Sequence, residues 1–194
     1  IIALTAYAMA GDGERFLANA ARVTREKPVI LIKSGTTAAG AKATSSHTGA
    51  IAGNDAAYDA AFRKTGVIRA ADMVSLFDLA QAFSSQPLPK GSGLAIVTNS
   101  GGPGAMAADA AENSALDLAR LSDATVAKLK SFLPAYASLA NPIDIVGDAP
   151  AERYRKTLET VIVDPAVHAL MVLLSPTSSA EIAETAQAII DVAK

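Results

Sequence analysis

The sequence predicts an α/β protein built on parallel sheets, and three observations carry that expectation. Short unbroken apolar runs, Val29-Ile30-Leu31-Ile32, Leu94-Ala95-Ile96-Val97 and Ala169 to Leu174, alternate with longer stretches whose apolar residues recur at helical spacing. These runs lack polar alternation, the pattern of strands covered by helices on both faces. A stretch rich in proline, glycine and serine, Ser85 to Ser92, lies between a finished helix and a fresh apolar strand and divides the pattern into two halves of the same kind.

Taken in order, residues 1–7 read as a strand, and Gly11-Asp12-Gly13 turns the chain into a helix over about 13–26 with Phe16, Leu17, Ala20 and Val23 on one face. Pro28 opens the strand at 29–32. The next twenty or so residues, from Ser34 to Gly53, are dominated by Gly, Ala, Ser and Thr, and a stretch of that length without a hydrophobic pattern marks a functional or disordered segment. Asn54 or Asp55 caps a helix to about Lys64, 67–69 forms a short strand, and Asp72 caps a helix whose Met73, Leu76, Phe77, Ala80 and Phe83 recur at helical spacing. Beyond the linker, strands at 94–97, 116–119, 143–146 and 167–174 alternate with helices from Gly101 to about Asn113, at about 122–132 with Ser122 as N-cap, from about Pro150 to Ile162, and from about Ser179. Two flavodoxin-like three-layer αβα units follow, 1–88 and 89–194. The first is short of strands, so its N-terminal part is expected to precede Ile1.

Composition narrows the function classes. Half of the 194 residues are hydrophobic, enough for buried cores, and 17 basic residues nearly balance 19 acidic ones. The charges are interspersed, so no basic stripe speaks for nucleic acid, and no apolar run is long enough for a membrane span. The chain has no cysteine, hence no disulfide or thiolate chemistry, and its two histidines lie far apart in sequence, against a zinc site.

Two stretches could carry chemistry. In Ser45-Ser46-His47-Thr48-Gly49-Ala50-Ile51-Ala52-Gly53 an imidazole is flanked by small residues, with Ser46, Thr48 and Gly49 leaving the ring room to enter a narrow pocket and take up a phosphoryl group. In Thr98-Asn99-Ser100-Gly101-Gly102-Pro103-Gly104 the carboxyl end of a strand meets a helix N-terminus. There unpaired amides and the helix dipole favour an anion, and glycines permit close approach. Neither G-x-G-x-x-G nor G-x-x-x-x-G-K-[ST] is present, so a self-contained nucleotide site is not expected. Ser100 half matches a nucleophile elbow, which requires glycine where Thr98 stands. Asn141-Pro142-Ile143-Asp144 is a strand-edge cluster that could place Asn141 and Asp144 in a substrate crevice. His168 reads as a packed or edge residue, and Glu152 to Lys156 as a solvated helix face.

Together, Lys27 to Gly35, Ser46 to Gly53, Thr98 to Gly104 and Asn141 to Asp144, four motifs in one order, closely resemble the NDP-forming acyl-CoA synthetases, relatives of succinyl-CoA synthetase. The resemblance implies interconversion of acyl-CoA, phosphate and ADP with carboxylic acid, CoA and ATP through an acyl phosphate and a phosphohistidine. His47 would be nucleophile and carrier, and Asn99, Ser100, Gly101, Gly102 and Gly104 the phosphate-binding turn. It also implies CoA, ADP/ATP, phosphate and Mg2+ as cofactors, CoA-binding and ATP-grasp domains or subunits as partners, a small carboxylic acid as substrate, an oligomeric assembly and a cytoplasmic location. Residues 1–88 would be the C-terminal part of the histidine-bearing domain and 89–194 a second flavodoxin-like ligase domain, inactive as an isolated segment.

One departure bears on activity. Members of the family usually carry a glutamate after the strand matching 1–7, placed to hold the histidine ring. Here Ala6-Tyr7-Ala8-Met9-Ala10 occupies that stretch, leaving Asp12, Glu14 or a group elsewhere to replace it. The rival reading is a non-catalytic acyl-CoA-sensing module of a protein acetyltransferase: retention of His47 favours the enzyme, loss of the glutamate the sensor.

Overall fold

The computed structural model describes residues 12–40, 42 and 55–193. The chain divides into two compact units, Ile1–Leu88 and Pro89–Lys194. Among the described residues no helix is long and apolar enough to cross a membrane.

Among the described residues, the elements of the first unit with printed bounds run α1 (Asp12–Val23), β1 (Ile30–Leu31), α2 (Asp55–Thr65), β2 (Ile68–Arg69) and α3 (Met73–Ser85). β1 and β2 are parallel, with Ile30 opposite Ile68 and Leu31 opposite Arg69. Ala20, Phe62 and Val67 form its buried cluster, with Phe16, Leu17, Val29 and Leu31 packed against it. Gly66 ends α2 at φ 72°, and a side chain there would also press on Thr24 at 3.3 Å, so glycine is required twice over. Thr24 itself donates its hydroxyl to the Thr65 carbonyl. Asp72 caps α3, its carboxylate accepting from the Ser75 amide at 2.7 Å. The apolar face expected of α3 is only partly covered: Leu76 is buried, whereas Met73 and Phe77 are exposed.

The second unit runs β3 (Gly93–Thr98), α4 (Gly101–Glu112), β4 (Asp117–Leu118), α5 (Asp123–Lys130), β5 (Ile143–Asp144), α6 (Ala151–Val161), β6 (Ala169–Leu173) and α7 (Ile182–Val192). All pairings are parallel and centre on β3, whose residues are all buried. β6 runs along one side, Leu94 opposite Ala169 through Thr98 opposite Leu173. β4 and β5 share the other side, at Gly93–Leu94 and Val97–Thr98 respectively. Successive β3 side chains point to opposite faces. Ala95 and Val97 join Leu129, Ile143, Ile145, Tyr154, Leu158 and Val161, with Ile189 and Val192 of α7 against them. Leu94 and Ile96 join Ala111, with Ala107 and Ala108 of α4. Helices thus cover both faces of a parallel sheet, as the unalternated runs predict.

Ser122 caps α5, accepting from the Thr125 amide at 3.3 Å. Its own amide and hydroxyl donate to buried Asp164 at 2.9 and 2.8 Å, and the Ala166 amide adds a third donor at 3.0 Å. Burial alone would raise the Asp164 pKa. The donors around it, Thr125, Ala166 and Ser122, outweigh that and bring it down to about 2.

Candidate functional site

Three strand ends meet at the carboxyl edge of the second sheet: β3 into α4, β5 into the 145–150 turn, and β6 into the 174–181 turn. This edge is where parallel α/β sheets bind ligands. The glycine-rich turn lies on the first. Thr98 Oγ1 accepts from the Ser100 amide and donates to the Ser100 carbonyl, both at 3.0 Å, locking the turn as the strand stops. Ser100 is the N-cap residue, yet its hydroxyl makes no capping bond, and the Gly104 amide is the first to bond back, to the Ser100 carbonyl at 3.2 Å. Pro103 has no N–H. The orphan donors of α4 are therefore the amides of Gly101 and Gly102, and neither meets an acceptor among the described residues.

The three glycines do different work. A methyl group at 104 would stand 3.0 Å from Thr98 Cγ2 and 3.4 Å from Pro142 Cβ, so this glycine lets helix and strand approach. At 101 it would face Asp144 Oδ2 at 3.4 Å, and at 102 it would meet nothing within 4 Å. Position 102 is where the turn opens.

Asn99, expected to contact phosphate, is 3% exposed, and its carboxamide is taken up by the main chain of Ser175: Nδ2 donates to the carbonyl at 3.0 Å and Oδ1 accepts from the amide at 2.8 Å. Its side chain braces two strand ends. Asn141 is not brought to the turn. Its Oδ1 accepts from Ile96 N at 2.9 Å, and its Nδ2 donates to the carbonyls of Leu94 and Ala119 at 2.7 and 3.1 Å, so it splices the gap between β4 and β5 along the side of β3. Asp144 does reach the turn. Its Oδ1 accepts from the Val146 amide at 2.9 Å, and Oδ2 points toward Gly101. Val146 holds φ at 76°, a left-handed conformation unusual for a β-branched residue and of the kind that clusters at ligand clamps. Arg153 secures that loop, donating to the Ile145 carbonyl at 3.0 Å and to Asp148 at 2.6 Å, and Thr177 donates to the Gly147 carbonyl at 3.1 Å.

Beneath the turn Tyr154 is fully buried and donates to the Leu173 carbonyl at 3.0 Å. Burial, aided by the Asp144 charge and opposed by the Asn99 amide, pushes its pKa up to about 12, so the phenol stays neutral. The Glu152–Lys156 run is accordingly not one solvated face: Tyr154 is core, Arg153 and Arg155 are half-buried, and only Glu152 and Lys156 are exposed. The signal was present, since Ala151, Tyr154, Leu158 and Val161 recur at helical spacing within the charged stretch. α7 begins at Ile182, later than expected, because Thr177 and Ser179 pair their hydroxyls at 3.3 Å and the Glu181 carboxylate caps α6 through the Ala151 amide at 2.9 Å.

His168 is an edge residue. Its Nδ1 accepts from the Gly93 amide at 3.1 Å, at the amino end of β3 and about 20 Å along the strand from Ser100. A hydrolytic Ser100–His168 pair is excluded. His47, Ser46, Thr48 and Gly49 lie outside the described residues, as do Ala8 and the Asp12 side chain, while Glu14 is exposed on α1. Among the described residues no group of three His, Cys, Asp or Glu side chains comes together to hold a metal ion.

Residues 2–83 match the succinyl-CoA ligase like flavodoxin domain, and residues 94–189 match the Ligase-CoA domain. The ADP-forming acetate–CoA ligase I of Archaeoglobus fulgidus is 44% identical over 92% of this chain. The chain belongs to the NDP-forming acyl-CoA synthetases. Other relatives of this synthetase segment include the alpha subunit of ADP-forming acetate–CoA ligase II of Pyrococcus furiosus, 41% identical over 88% of the chain. The ADP-forming 4-hydroxybutyrate–CoA ligase of Nitrosopumilus maritimus is 38% identical over 95%. A solved acetyl-coenzyme A synthetase 1 from Ca. Korarchaeum cryptofilum, in complex with phosphate and ADP, superposes with a TM-score of 0.87 at 36% identity over 99% of the chain. The chain spans 26%, 39% and 26% of these three relatives in turn, and 40% of the solved chain.

Proposed function

We propose that this chain is the histidine-bearing and ligase-domain portion of an ADP-forming acyl-CoA synthetase, with His47 as phosphoryl carrier. The observation that carries the reading is the pair of orphan amides at Gly101 and Gly102, open to space at 102, in a chain aligned along 92% of its length with an ADP-forming ligase.

In the reaction a phosphate oxygen attacks the thioester carbonyl of acyl-CoA, releasing the CoA thiol and leaving an acyl phosphate. A nitrogen of His47 then takes the phosphoryl group and the carboxylate departs. An oxygen of the ADP β-phosphate attacks the phosphohistidine, giving ATP and free imidazole. Splitting the transfer lets one ring serve two distant sites. The amides of Gly101 and Gly102, with the positive end of α4, would stabilise the charge of a phosphate oxygen bound at their own turn without a mobile cation. Asp144 beside Gly101 opposes a second negative charge there, so the turn suits a group in transit better than one bound tightly. Asn99, Thr98 and Tyr154 hold the turn in shape.

CoA, the nucleotide and its Mg2+ would be held by CoA-binding and ATP-grasp domains or subunits of the same cytoplasmic enzyme. Relatives of this segment include both acetate and 4-hydroxybutyrate ligases, and the substrate is read as a small carboxylic acid. The sensing-module alternative finds no support in these relatives, all of them ligases.

The test is incubation of the full-length protein with γ-labelled ATP, followed by acid and base treatment. Acid-labile, base-stable label present on the wild type and absent from His47→Ala is expected. Equal label on both proteins rejects the carrier role.

A further inference from the structure

β6 has the sequence of an inner strand and a partner on one side. Its run, Ala169-Leu170-Met171-Val172-Leu173-Leu174, is apolar without a break and carries no proline or charge, the devices that guard a sheet edge. Among the described residues it pairs with β3 and with no other strand. The His168 amide donates to the Gly93 carbonyl, so in this parallel pairing residues 168, 170 and 172 turn their main-chain groups to β3, and Ala169, Met171 and Leu173 turn theirs outward. Tyr154 takes the Leu173 carbonyl. No strand among the described residues takes the outward groups of Ala169 and Met171. Side-chain cover runs out at the same place: Met171 is 39% exposed, whereas Ile96, its neighbour across the pairing, is fully buried.

α7, which follows β6, is open on one flank as well. Thr185 and Ala188 are buried, and Ile189 and Val192 pack on the core. The apolar arc then continues through Ile182, Ala186 and Ile190, each one turn from the next, with both isoleucines more than half exposed. A strand followed by a helix is joined to its next parallel strand by a right-handed crossover. The far side of β3 is filled by β4 and β5, so the place for such a strand is beside β6. The relatives have chain to supply it, since this segment is 26% of the Archaeoglobus fulgidus ligase.

We propose that the outer edge of β6 receives one further parallel strand of the same protein, supplied by the first apolar run after α7. That strand lies beside Met171 on one face and under the Ile182–Ile190 flank of α7 on the other. The proposal is independent of the role of His47.

Hydrogen exchange in the full-length protein reads the outer amides directly. Those of Ala169 and Met171 are expected to exchange within about tenfold of those of Leu170 and Val172, which face β3. Exchange on the order of a hundredfold faster marks a bare edge and overturns the proposal. Protection that fades on dilution marks a second copy and overturns it too. Cysteine pairing then identifies the occupant. With Met171→Cys in place, cysteines introduced one at a time along the first apolar run after α7 are expected to form a disulfide within the chain at one register. Protected amides with no such pairing at any position would put another part of the protein on the edge, and the proposal falls.

Discussion

The two units share an alternation of strand and helix and secure it by different means. In the second, six consecutive residues of β3 are withdrawn from water and apolar clusters clasp both faces of the sheet. In the first, the described strands pair over two residues each, one small cluster lies against them, and the rim is tied by the half-wet fork of Arg69 onto Asp55 and Asp59. Apolar burial scales with area and holds a scaffold, whereas a solvent-screened ion pair adds little energy and fixes direction. The unit whose glycine-rich turn leaves two main-chain amides open is the one with the larger apolar core.

The sharpest way to break this contrast is Gly93→Ala. A methyl group there would lie 2.0 Å from the Ala166 carbonyl oxygen and 2.8 Å from the His168 ring, so β3 and β6 cannot keep their spacing. A loss of about 3 kcal/mol in the unfolding transition of the second unit is expected in urea titration, against no more than about 0.5 kcal/mol for Phe77→Ala on the exposed face of α3. Equal effects would erase the distinction.

Acid should also weaken the second unit. Asp164 has its pKa held at about 2, below the ordinary carboxylate value, so its contribution is complete above about pH 4 and is lost as pH falls toward 2. About 2 kcal/mol of stability should disappear across that window, and Asp164→Asn should flatten the pH dependence of the midpoint. In the first unit Asp72→Ala removes the α3 cap and should cost about 1 kcal/mol by the same titration. The smallest effect separates architecture from chemistry: Gly102→Ala meets no atom within 4 Å and should shift stability by at most about 0.5 kcal/mol. A clear fall in phosphohistidine labelling in that variant would mean that the glycine serves an approaching anion, while an unchanged rate would reduce the turn to geometry.

Much of the scaffold was legible because parallel strands buried on both faces write themselves as unbroken apolar runs, as at Leu94 to Val97. Caps at Asp72 and Ser122 were legible because one side-chain oxygen beside one amide is a local event. The residues that shape the candidate site were less so. Asn99 and Asn141 look free to bind a ligand until their distant partners, Ser175 in one case and Leu94, Ile96 and Ala119 in the other, are brought beside them by the sheet. Tyr154 was hidden by charged neighbours on both sides. Arg69 read as the last residue of a strand, and nothing local reveals that its guanidinium reaches back to Asp55 and Asp59.

Asn141 has a consequence for the sheet itself. A strand flanked by two short partners leaves a bare interval between them, and bare strand edges template the addition of foreign chains. One carboxamide occupies that interval, taking the Ile96 donor and engaging the acceptors at Leu94 and Ala119. Removing it would leave the Ile96 amide, in a residue wholly withdrawn from water, without its partner, a cost borne by the sheet itself.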